Sequence, residues 1–148
     1  MFSGLLNRLL APVPETLPEP ECRLALAALM VRVARADGDY ATAEVARIDR
    51  LLAARYGLDP DAATRLRAEA EVLESEAPDT VRFTRALKAA VPLEDRAGLV
   101  EALWSVALTD GRRDDAEDRL MRMVANLLGI TDRDSALARQ RAARDGAG

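Results

Sequence analysis

The chain has 148 residues and a formal net charge of −4, and this length suits one domain with a single core. It contains 29 alanines and 22 leucines but only 12 valines and isoleucines, a composition typical of packed helices rather than of sheets. It has no histidine, which excludes Ser-His-Asp and Cys-His catalysis and zinc sites that use histidine. Acidic residues outnumber basic residues by 25 to 21, which argues against a nucleic-acid-binding surface across the domain.

The first 20 residues are predicted to form a short amphipathic helix and a proline-rich linker. Over residues 2–10 the apolar side chains fall on one side of a helix, and four prolines between residues 12 and 20 then favour an extended chain. We expect this helix to pack on the core, and the alternative is an arm that binds a partner or a membrane surface. No run of about 18 apolar residues occurs, so no transmembrane helix is predicted and we expect a cytoplasmic protein.

Seven helices are predicted over residues 21–143, followed by a frayed tail over residues 144–148. The first is expected from about Glu21 to Asp37 and the second from about Thr42 to Tyr56. Local cap chemistry then sets the later helix starts. These starts lie at Asp59-Pro60, Pro78-Asp79, Pro92, about Asp114, and the Thr131 and Asp134 pair.

An internal repeat relates two parts of the chain. The stretch Val33–Gly38 parallels Val106–Gly111 at an offset of 73 residues, and in each copy a glutamate follows the aspartate of an Asp-Gly pair by seven positions. The repeat predicts a pseudo-twofold bundle of two helix–turn–helix halves, which residues 59–92 would bridge. The alternative is chance similarity between helices rich in alanine and leucine.

Each copy places two carboxylates at the edge of the apolar core. On helical spacing, the inward stripe of one helix ends at Asp37 or Asp110, and that of the next begins at Glu44 or Glu117. A helix C-terminus disfavours an aspartate by about 0.3–1 kcal/mol, and several partly buried carboxylates repel one another. A bound cation would relieve both costs.

The candidate ligands all offer oxygen, which points to a hard divalent cation: Ca²⁺, Mg²⁺ or Mn²⁺. An EF-hand is excluded, because twelve-residue loops that start at Asp37 or Asp110 end at Ile48 or Met121 instead of a bidentate glutamate. The full candidate set is Asp37, Asp39, Glu44, Asp110, Asp114 and Glu117.

Helix caps and ion pairs are the alternative explanation of these carboxylates. Asp-Gly is a common turn pair, and Asp114 and Glu117 have capping-box spacing. The first copy has Ala41 at the matching position, so capping is not expected to explain Glu44 equally well. Arginines could also supply the counter-charge in place of a metal, and the candidates are Arg35, Arg112 and Arg113.

Other side chains have ordinary structural explanations. Trp104 and Phe83 are expected to be core anchors, and Cys22 a buried small apolar residue. The arginines of the last helix are expected to form a solvated face. No phosphate-binding glycine loop or nucleophile elbow is present, so we expect no enzymatic activity. A metal-dependent phosphoesterase would need a pocket beside Asp37 and Asp110.

The paired Ala-Asp-Gly and Thr-Asp-Gly turns, within Val33–Gly38 and Leu103–Gly111, resemble the TerB-like family of tellurite-resistance-associated proteins. The resemblance covers about residues 20–142. It implies a compact all-helical domain with an acidic metal site, and a bacterial stress-response role near the inner membrane with protein partners. The family's metal positions would fall on Asp37, Glu44, Asp110, Asp114 and Glu117, with Asp39 at a position that is often acidic. Ala41 departs from the pattern.

The sequence therefore predicts one all-α domain that is a non-enzymatic, metal-binding adaptor in the stress response. The alternative is a structural protein–protein interaction module without metal, as a monomer or a homodimer.

Overall fold

Every regular element of the described chain is an α-helix. The computed structural model describes residues 18–36, 38–76, 79–109 and 115–147. The predicted helix over residues 2–10 lies outside these ranges. Within the described part of the chain, no helix has the length and apolar character needed to cross a bilayer. The predicted all-α fold is confirmed, with helices α1 (Glu19–Arg35), α2 (Thr42–Tyr56), α3 (Pro60–Glu76), α4 (Thr80–Ala90), α5 (Leu93–Ala107), α6 (Asp115–Leu127) and α7 (Asp132–Ala147).

Side-chain caps start three of these helices where the sequence predicts them. Asp59 accepts a hydrogen bond from the backbone N–H three residues later at 2.7 Å, and Asp79 does the same at 2.8 Å. Thr131 accepts the equivalent bond at the start of α7 at 3.1 Å. Each bond satisfies a backbone donor that has no partner inside the helix.

Helices α1 and α7 differ from their predicted bounds, and α1 ends at Arg35 instead of about Asp37. Helix α1 begins at Glu19, two residues before the predicted start, because a proline in the first turn removes an N–H that would have no helical partner. Helix α7 continues through Ala147, beyond residue 144 where the sequence predicts the tail.

Helix α1 lies at the centre of the bundle and contacts α2, α3, α4, α5 and α6. Its residues from Leu24 to Val31 are all buried, which is typical of a helix that is apolar on every side. Phe83 is fully buried and Trp104 is 7% exposed, so both are core anchors as predicted. Cys22 is half-buried, and burial raises the pKa of its thiol.

Arg96 on α5 joins the ends of two other helices. Its Nε donates to the carbonyl of Val91 at 2.9 Å, and its Nη2 donates to that of Lys88 at 2.9 Å, both at the end of α4. Its Nη1 donates to the carbonyl of Leu128, just after α6, at 3.4 Å. Carbonyls at a helix C-terminus lack partners within the helix, so one guanidinium satisfies two helix ends.

The predicted pseudo-twofold relation stays a prediction. Helices α2 and α6 begin at Thr42 and Asp115, and these two starts are separated by the 73 residues of the repeat.

Candidate functional site

Two glutamates are buried at the same position of two helices. Glu44 is the third residue of α2 and is 1% exposed, and Glu117 is the third residue of α6 and is 3% exposed. In the described part of the chain, Glu44 and Glu117 are the charged residues that are buried. The other buried polar residues there, Thr84 and Ser135, carry no charge. Burying a carboxylate is costly unless hydrogen bonds or an opposite charge compensate for it.

Glu44 forms one half of a capping box. Its Oε1 accepts a hydrogen bond from the backbone N–H of Ala41 at 3.1 Å, where Ala41 is the extended residue that precedes α2. The alanine side chain has no acceptor, so the reciprocal bond is not formed. The expectation that capping does not explain Glu44 was therefore wrong in this respect, because the bond uses only the backbone of residue 41.

Glu117 lies in an acidic first turn. Asp115 and Asp118 stand in the same turn, where the helix macrodipole favours negative charge. Both carboxylate oxygens of Glu117 are buried, whereas Asp115 is exposed. Glu117 therefore differs from its neighbours in lying inside the bundle.

The remaining predicted ligands are placed as follows. Asp39 is exposed in the turn between α1 and α2. Asp37, Asp110 and Asp114 lie outside the described residues, as do Arg112 and Arg113. Within the described residues no three acidic or cysteine side chains form a group that could hold a metal ion. The structure thus places two of the six predicted ligands in the interior at matching positions.

Arg35, one of the predicted counter-charges, contacts other groups. Its Nη1 lies 3.4 Å from Glu74 Oε1, and its guanidinium lies 5.0 Å from the centroid of the Tyr40 ring. Arg35, Gly38 and Tyr40 line an open depression of about 430 Å³. Burial and the nearby Glu71 carboxylate raise the pKa of the Tyr40 phenol above its ordinary value.

Arg47 is a residue near the site that the sequence did not single out. It lies one helical turn after Glu44, and its Nη1 donates to Ser105 Oγ on α5 at 3.3 Å. Its buried Nε has no hydrogen-bond partner among the described residues. The signal that could have revealed it is an arginine three residues after Glu44, close to the apolar stripe that continues at Ile48.

Comparison with known proteins identifies the family of the chain. Over residues 23–140 it matches the family model described as "Tellurite resistance protein TerB". The chain belongs to the TerB family. This confirms the resemblance predicted from the duplicated Asp-Gly turns, and the matched range includes all six candidate ligands. No curated protein matches the chain.

The TerB-family chain is also similar to a solved structure. A crystal structure of a protein of unknown function from Porphyromonas gingivalis W83 aligns with a TM-score of 0.61, at 20% sequence identity. The alignment covers 89% of this chain and 94% of that chain. At this identity the similarity shows a shared fold.

Proposed function

We propose that this TerB-family chain is a non-enzymatic protein that binds a divalent cation and acts as an adaptor for protein partners in the bacterial stress response. Its support is the burial of Glu44 and Glu117 at the same helix position in two parts of one fold. Native proteins seldom bury carboxylates, and those they bury are enriched at sites that bind a cation or hold a specific hydrogen-bond network.

The residues fit a hard cation chemically. Carboxylate oxygens are the ligands that Ca²⁺, Mg²⁺ and Mn²⁺ prefer, and the chain has no histidine to offer a softer donor. Glu44 Oε1 accepts a hydrogen bond from the backbone N–H of Ala41, and a carboxylate can accept several bonds at once. The proposed ligands are those predicted from the sequence: Asp37, Asp39, Glu44, Asp110, Asp114 and Glu117.

A second candidate function is a structural interaction module without metal, as a monomer or a homodimer. The observation that favours it is the bond between Ala41 N–H and Glu44 Oε1, since capping alone gives this glutamate a role. The first candidate predicts that an ion raises the stability of the fold, and the second predicts that an ion has no effect, so one titration separates them.

The test is thermal unfolding and calorimetry of the full chain with Ca²⁺, Mg²⁺ and Mn²⁺ up to millimolar concentration. An ion present at a hundred times its Kd should raise the free energy of unfolding by about 2.7 kcal/mol. For a chain of this length that corresponds to a rise in Tm of about 5–10 °C. We expect Asp37→Asn combined with Asp110→Asn to abolish the rise.

Matched glutamine variants separate metal binding from capping. Glu44→Gln and Glu117→Gln remove the charge but keep an oxygen that can accept a hydrogen bond, so we expect them to fold and to lose the ion response. Glu69→Gln, on the exposed face of α3, is the control and should respond like the wild type. No response of the wild type to any ion, or an equal response in the glutamine variants, contradicts the metal proposal.

We further propose a cytoplasmic location, with peripheral association to the inner membrane through protein partners and no nucleic-acid partner. Cell fractionation tests the location. Affinity capture with Ca²⁺ and with a chelator tests the adaptor role. Capture of the same partners by the wild type and by the Asp37→Asn, Asp110→Asn variant would mean that binding does not depend on the metal.

A further inference from the structure

A cleft of about 170 Å³ lies where α5, α6 and α7 meet. Its two most buried lining side chains are Trp104, 7% exposed, and Ser135, 6% exposed. The indole Nε1 of Trp104 donates to Ser135 Oγ at 3.0 Å. Because this bond uses the hydroxyl as an acceptor, the hydroxyl hydrogen can still be donated, and no described residue accepts it.

Two guanidinium groups also line the cleft. That of Arg139 lies over the Trp104 ring, 5.1 Å from its centroid, which is within the range of a cation–π contact. A guanidinium stacked on an aromatic face keeps the N–H donors along its edge. Neither Arg139 nor Arg122 forms an ion pair with a carboxylate in the described part of the chain. The cleft therefore offers several donors to a carboxylate.

Two carboxylates complete the lining. Asp132 is exposed in the first turn of α7, and Asp118 belongs to the first turn of α6. A simple anion would meet the negative charge of Asp132, and a simple cation would meet the two arginines. A molecule that carries both charges close together matches both sets of groups.

We infer that this cleft binds a small zwitterion of the α-amino acid class. The ligand's carboxylate accepts hydrogen bonds from Arg122, Arg139 and the Ser135 hydroxyl, and its ammonium group pairs with Asp132. Pockets for drug-sized molecules occupy about 300–1,000 Å³. The cleft, at about 170 Å³, is smaller and therefore suits a molecule of the size of an amino acid. None of these groups is a candidate metal ligand, so the inference is independent of the proposed function.

The probe for this site is built into the chain, because Trp104 is its single tryptophan. Fluorescence and thermal unfolding are followed while L-alanine, L-serine or L-glutamine is added to the full chain. Sodium acetate and methylammonium chloride, each with one of the two charges, serve as controls. We expect a saturable response to at least one amino acid and a much weaker response to either control. Absence of a response to the amino acids, or an equal response to acetate, overturns the inference.

Substitutions of exposed side chains then test the location of the site without disturbing the core. Arg122→Gln and Asp132→Asn each remove one charged partner, and we expect each to weaken binding about tenfold to a hundredfold. Arg133→Gln is the matched control, because Arg133 is exposed on α7 and does not line the cleft. Unchanged affinity in Arg122→Gln and Asp132→Asn would place the ligand elsewhere and overturn the inference.

Discussion

The segment that leads into α2 and the segment that leads into α6 place a glutamate in the same buried position from different sequences. Before α2 the residue in the cap position is Ala41, which contributes only its backbone N–H to Glu44. In the repeat the residue that corresponds to Ala41 is Asp114. Glu44 and Glu117 are nevertheless both at most 3% exposed. The comparison teaches that the two segments share the burial of a carboxylate at the third helical position, and that they differ in the residue type that precedes the helix in the sequence.

The largest expected change in the free energy of unfolding comes from a core substitution, which tests whether the two segments depend on one core. Leu103 on α5 is fully buried, and α5 contacts α1, α2, α6 and α7. We expect Leu103→Ala to lower the free energy of unfolding by about 2–5 kcal/mol, because it leaves a cavity. Urea unfolding followed by circular dichroism and by Trp104 fluorescence measures it. Leu137→Ala, at a residue 42% exposed, is the control and should cost far less.

The two signals should change together if the core is shared. Separate midpoints by circular dichroism and fluorescence would mean that the segments unfold independently, and the comparison between them would then describe two separate units.

A smaller effect is expected from giving the first segment the cap side chain that it lacks. Ala41 has the extended conformation of an N-cap residue, and Ala41→Ser adds an acceptor for a backbone N–H of the first turn. We expect the free energy of unfolding to rise by about 1 kcal/mol. Ala43→Ser, within the first turn of α2 and exposed, should give no gain. If Ala41→Ser is no more stable than Ala43→Ser, the Glu44 bond already supplies all the capping that this helix start can use.

The smallest effect concerns Tyr40, whose counterpart in the repeat is Arg113. The pKa of Tyr40 is raised in the folded state above the ordinary value of 10.0. The stability that it contributes is therefore complete below about pH 10 and falls as the pH rises further, since the unfolded chain ionises first. We expect Tyr40→Phe to reduce the loss of stability in alkaline solution, as measured by urea unfolding on both sides of pH 10.

Tyr56 limits the size of that change. Burial raises the pKa of Tyr56 as well, so part of the alkaline dependence remains in Tyr40→Phe. Identical pH dependence in the wild type and in Tyr40→Phe would contradict the role assigned to Tyr40.

Local chemistry explains what could be predicted from the sequence. The starts of α3, α4 and α7 follow from Asp59, Asp79 and Thr131, because a cap bond spans only three residues. The inward positions of Glu44 and Glu117 follow from helical spacing relative to the apolar stripes. The family likewise follows from short motifs that the chain contains twice.

Contacts between distant parts of the chain explain what could not be predicted. The bond from Trp104 to Ser135 joins residues 31 positions apart, and that from Arg47 to Ser105 joins residues 58 positions apart. Periodicity shows which side of a helix faces inward but not which helix lies opposite. The capping bond of Glu44 has another physical reason: its donor is the backbone N–H of Ala41, which every residue except proline carries, so the side chain at position 41 does not reveal it.

Arg96 has a consequence for engineering the chain. Its guanidinium donates to carbonyls at the ends of α4 and α6, so lengthening either connection would displace one acceptor and disturb the donor group that both connections share. Insertions of tags or labels at these two connections should therefore interfere with each other. The connection after Gly57 has no tie to Arg96, so it offers an independent place for such an insertion.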